Sequence, residues 1–67
     1  MEREICYSYN TPEEYRYRVI LWSVPPLDNG FWWVHDTKKD TFRKIGRIGA
    51  KRVNYFDVAV DFCESHK

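Results

Sequence analysis

The sequence predicts an α+β fold: a small antiparallel meander of three or four strands with one C-terminal helix packed on a face. Three observations carry that expectation. Short segments rich in β-branched and aromatic residues, punctuated by Pro, Asn and Gly, recur up to residue 48. The hydrophobic period then lengthens from two to about 3.6 residues over 54–67. The 67 residues, 43% hydrophobic and 18% aromatic, suffice for a single domain over 1–67, near the lower limit for a chain folding alone. Twelve aromatic residues (three Trp, five Tyr, four Phe) help, because each can bury roughly 150–250 Å².

The first segment, EICYSY at 4–9, has strand composition and ends at a turn, Asn10-Thr11-Pro12. EYRYRVILWSV at 14–24 reads as the clearest strand, and the adjacent acids Glu13 and Glu14, which follow Pro12, read as solvated turn residues. Strict alternation puts Tyr15, Tyr17, Val19 and Leu21 on one face and Arg16, Arg18, Ile20 and Trp22 on the other. Its second half is apolar on both faces, which predicts a central position in the sheet. Pro25-Pro26 ends it, because neither residue can donate a ladder hydrogen bond. Asp28-Asn29-Gly30 supplies a turn in which Asn and Gly tolerate positive φ.

FWWVHDT at 31–37 is the next strand, and a tight turn at Lys38-Lys39-Asp40 returns the chain through TFRKIGRI at 41–48. On that strand alternation groups Arg43, Ile45 and Arg47 against Phe42, Lys44, Gly46 and Ile48. Neither face is cleanly apolar, which predicts an edge strand. In the last segment Phe56, Ala59, Val60 and Cys63 fall at i, i+3, i+4 and i+7, opposite Asp57, Asp61 and Glu64. Asn54 is a competent N-cap with Asp57 completing a capping-box-like start, and Asp57 is a rival cap. The spacing predicts a helix of three turns.

Function is most legible in residues 37–52, TKKDTFRKIGRIGAKR. Seven of the eleven basic residues lie here: Lys38, Lys39, Arg43, Lys44, Arg47, Lys51 and Arg52. Only Asp40 opposes them, so the stretch carries +6 in a chain of net charge +1. Most acids lie elsewhere, at residues 2–14 and 57–64. Segregated charge of this kind is the footprint of an electrostatic partner. Arg43 and Arg47 are expected on one strand face, between the lysine turn and Lys51-Arg52, as a stripe able to contact several phosphates. Trp32, Trp33 and Phe42 adjoin it, and one Trp of the adjacent pair must point away from a single core. An exposed Trp beside Arg stacks on an unpaired base or anchors a protein partner.

Other chemistries fare worse. Ser8, Ser23, Ser65, Cys6 and Cys63 sit in no nucleophile motif, and His35, with Trp33 and Asp36 close by in the chain, reads as a partly exposed strand histidine. So small a domain leaves little interior for a substrate pocket. Gly46 and Gly49 lack the length and Lys-Ser/Thr ending of a phosphate-binding loop, and read as glycines of a bulge or turn. Cys63 and His66 share a helical face, but a zinc site would need the distant Cys6 and His35, whereas strong zinc signatures come as two close pairs. The two cysteines are expected reduced, and no metal or cofactor is expected. No apolar run reaches the roughly 18 residues of a membrane span, and Met1-Glu2-Arg3-Glu4 lacks the plan of a signal peptide, so the expected location is cytoplasmic.

GRIGAKRVNYFDVAVDF, residues 46–62, resembles the end of a WGR domain, a meander-plus-helix module associated with nucleic-acid-dependent enzymes. Gly46, Arg47, Ile48 and Gly49 match the family's Gly-Arg-hydrophobic-Gly motif, and Ile45 stands where that family has its Trp. The resemblance implies a nucleic-acid partner. The expected protein is thus a non-enzymatic binding module whose basic stripe engages nucleic-acid phosphates. The alternative is an inhibitor or regulatory subunit docking on an acidic protein surface through Trp32 or Trp33. Neither reading involves a membrane or a small-molecule substrate.

Overall fold

The structure, a computed structural model, describes residues 3–8 and 11–67. Tyr9 and Asn10, where the sequence ends its first strand and starts its first turn, lie outside the described residues. Four antiparallel strands form one sheet in the order β1-β2-β3-β4: β1 Glu4–Tyr7, β2 Tyr17–Val24, β3 Phe31–Asp36 and β4 Thr41–Arg47. One helix, α1 Tyr55–Ser65, follows. β2 starts later than the sequence suggests because a turn at residues 12–15, closed by Tyr15 N–H on the Pro12 carbonyl at 3.0 Å, precedes it. Gly30, at φ 85°, closes the turn before β3 in a conformation that costs glycine little.

α1 crosses β2, β3 and β4 and seals a small core of Val19, Val34, Ala59 and Cys63. Around it Trp32 packs on Phe56 with ring centroids 4.9 Å apart, and Tyr17 meets Phe62 edge-on at 4.7 Å. Asn54 is the N-cap: its side-chain oxygen accepts the Phe56 N–H at 3.2 Å. Asp57 bonds the Asn54 amide at 3.2 Å rather than its backbone N–H, so the capping box is only half made.

Two register slips correct the expected face assignments. Tyr7 pairs with Ile20 and Cys6 with Trp22, leaving Leu21 as an extra residue that breaks the alternation expected along 14–24. The far half of β2 is not central either. β3 pairs only with Tyr17–Ile20, so Leu21, Trp22 and Val24 remain 57%, 50% and 45% exposed. In β4 the extra residue is Ile45, between the Trp33–Lys44 and Trp32–Gly46 pairs. Directly paired residues share a face. Val34 therefore puts Arg43 under the helix, and Phe31 puts Arg47 on the opposite, open face. Arg43 and Arg47 do not share a face as expected.

Both cysteines are free thiols, Cys63 fully buried and Cys6 half-buried. Burial, reinforced by the Glu64 carboxylate, pushes the Cys63 thiol up to about 11. In a Cys6→Ser variant, Cys63 should give no fast reaction with a disulfide reagent at pH 8, and one full equivalent after unfolding in guanidinium. Rapid labelling of the native variant would contradict this burial.

Candidate nucleic-acid interface

The basic residues are delivered by one edge of the sheet and the segments at its two ends. Lys38 and Lys39 sit in the turn at 37–40, Arg43, Lys44 and Arg47 on β4, and Lys51 and Arg52 in the segment before α1; all seven are exposed. A strand of seven residues is about 20 Å long, so the edge spans several phosphates of an extended chain. Among the described residues, Lys38, Lys39, Arg47, Lys51 and Arg52 make no ion pair, whereas Lys44 bonds Asp28 at 3.1 Å. Arg43 lies 5.1 Å from the centre of the Phe62 ring.

The lysine turn is held rigidly. The buried Asp36 carboxylate accepts the Lys38 and Lys39 backbone N–H groups at 3.0 and 3.1 Å and a two-pronged bond from Arg16 at 3.0 and 3.1 Å. The Arg16 guanidinium, aided by those N–H groups, lowers the Asp36 carboxyl to about 2 against an ordinary 3.8. A carboxylate depressed in the folded state stabilises it fully above the unfolded value and loses that effect as pH falls through the folded one. The urea midpoint should therefore drop between about pH 4 and pH 2, and Arg16→Gln should flatten that drop. Equal pH profiles for the two proteins would contradict the assignment.

His35 is buried, 7% exposed, which corrects the expectation of a partly exposed histidine. Its Nδ1 lies 2.8 Å from the Tyr7 hydroxyl and its Nε2 2.8 Å from Asp40 Oδ1. A carboxylate only accepts, so Nε2 carries the proton and, in the neutral ring, the phenol donates to Nδ1. Asp40 also takes Arg3 at 2.9 Å. Asp40 is itself at φ 55°, a left-handed conformation for which Asp is enriched. Burial raises the Tyr7 phenol above its ordinary value, partly offset by Arg18, so that oxygen is not primed as a nucleophile. The chain ties β1 to the β3–β4 turn.

The zinc set weighed from sequence does not converge. His35 faces away from α1 within this chain of bonds, Cys63 belongs to α1 and is buried in the core, and no group of three or more potential ligands exists among the described residues.

The two tryptophans divide as their adjacency requires. Trp32 turns to α1, and Trp33 lies on the open face with Phe31, Lys44 and Arg47. The Lys44 ammonium sits 4.2 Å from the Phe31 ring centre and 5.5 Å from that of Trp33. The segment at 25–30 borders the end of this face and leaves a pocket of about 140 Å³, with Ile20, Ser23, Leu27, Phe31, Trp33 and Ile48 in its wall. Sequence reasoning missed this pocket. Its one signal was the Pro25-Pro26 and Asp28-Asn29-Gly30 pairing of breakers, which forces a wide connection.

Compared with known proteins, the chain matches no family model, no curated protein and no solved structure. The resemblance of residues 46–62 to the end of a WGR domain is thus not accompanied by any family match.

Proposed function

We propose that this protein is a non-enzymatic, cytoplasmic binding module whose β4 edge engages the phosphates of a nucleic acid. The observation that carries the reading is the set of cations at Lys38, Lys39, Arg47, Lys51 and Arg52, which have no carboxylate partner among the described residues. Unpaired cations spread along one edge repel one another, and a polyanion relieves that repulsion by releasing its counterions as it binds. Lys44 adds a sixth cation, held by Asp28 through an exposed ion pair of the weak kind. A fluorescein-labelled oligonucleotide titrated in low salt should bind well below about 100 µM, the weak end of non-specific affinities. No binding of DNA or RNA, single or double stranded, would sink the reading.

A second reading is supported by the exposed Leu21, Trp22 and Val24, a run of apolar side chains on the far half of β2. It makes the chain an inhibitor or regulatory subunit docked on a protein with an acidic surface. A single stoichiometric partner that survives nuclease treatment would favour it.

A further inference from the structure

The sheet face that carries Lys44 and Arg47 also holds a pocket, walled by Phe31, Trp33 and Leu27 and with no basic residue in its lining. We infer that this pocket receives one unpaired pyrimidine base of a single-stranded nucleic acid, an inference that rests on the phosphate-binding reading above. Size is the first argument. A cavity of roughly 150 Å³ holds one benzene, so about 140 Å³ takes a six-membered ring and leaves the fused rings of a purine partly outside.

The wall is the second argument. Trp33 presents its ring on the open face and is fixed there by its Nε1–H, which donates to the Asp28 carbonyl at 3.3 Å. Phe31 adds a second ring. Aromatic faces held in place in this way stack on bases and have little to offer a paired duplex, whose base faces are covered. Charge is the third. Lys44 stands over both rings, and Arg47 pairs with Phe31 on the same face, so cations lie where the phosphates flanking a stacked base would run. Among the described residues the only carboxylate holding Lys44 is Asp28, at 3.1 Å, with the two side chains 41% and 69% exposed. A phosphate can replace it.

The test compares four labelled probes of equal length at one salt concentration: oligothymidylate, oligodeoxyadenylate, an abasic oligomer and a duplex. Oligothymidylate should bind the protein at least fivefold more tightly than the other three, the loss expected when one base–aromatic stack is removed. Leu27→Trp, which adds a ring on the segment bordering the pocket, should bring oligothymidylate to the level of the abasic oligomer and leave the abasic oligomer unchanged. If that variant does not fold, the comparison of oligothymidylate with the abasic oligomer decides alone. Equal binding of all four probes would overturn the base pocket and leave the phosphate reading standing. Binding of none would remove the phosphate reading, and the pocket's role with it.

Discussion

Replacing Gly46 with alanine should destabilise the protein by about 1–3 kcal/mol, the usual cost of forcing a methyl into a filled space. The Tyr55 ring, at the first position of α1, lies directly on Gly46, and an added Cβ would overlap its ring atoms. Nothing else at this position demands glycine: its φ is not positive, unlike those of Gly30 and Gly49. The contact joins the bulged end of β4 to the start of the helix and fixes the path of the segment carrying Lys51 and Arg52. A double-mutant cycle with Tyr55→Ala checks the cause. In that background Gly46→Ala should cost less than about 0.5 kcal/mol, as at a site without such a clash. An equal cost in both backgrounds would place the strain elsewhere.

The second large effect concerns binding. Changing both Arg47 and Lys51 to Glu reverses four units of charge on the open face and the segment after it. Both side chains are exposed and free of ion pairs among the described residues, so stability should move by about 0.5 kcal/mol or less per site. Affinity for a single-stranded oligonucleotide should fall at least a hundredfold, or about 2.7 kcal/mol, with the thermal midpoint nearly unchanged. Arg43 is the wrong residue for this test. Its guanidinium packs on Phe62 of the helix, and reversing it would also remove a cation–π contact of about 0.5–1 kcal/mol. A variant of Arg47 and Lys51 that binds normally would contradict the proposed interface.

Much of the fold was legible because its signals are local. The change of period after residue 53, the cap at Asn54 and the breakers at Pro25-Pro26 and Gly30 act within a few residues, and each element appears within a few residues of its expected bounds. What the sequence hid is set by contacts between distant residues. FRKIGR offers no apolar face to betray where alternation fails, and the bulge at Ile45 is accompanied by the packing of Tyr55 on Gly46. The burial of His35 depends on Tyr7, 28 positions away, and on the left-handed Asp40. Leu21, Trp22 and Val24 read as central to the sheet because that half of the strand is apolar on both faces. They are exposed because β3 begins at Phe31, after a connection too wide to continue the pairing.

For the candidate site, composition located the cations and could not sort them. The register separates Arg43 from Arg47 and brings Lys44, Arg47, Phe31 and Trp33 together. It thereby turns a basic stretch into a charged edge beside an aromatic surface.

The claim that this edge binds phosphates is tested most directly by the salt dependence of affinity. Titrations of one single-stranded oligonucleotide across a range of salt concentrations give log K against log salt. Each neutralised phosphate contributes about −0.7 to that slope, so three to five contacts predict a slope of about −2 to −3.5. The Arg47 and Lys51 reversal should make it distinctly shallower. A slope near zero, or an unchanged slope in that variant, would contradict the account.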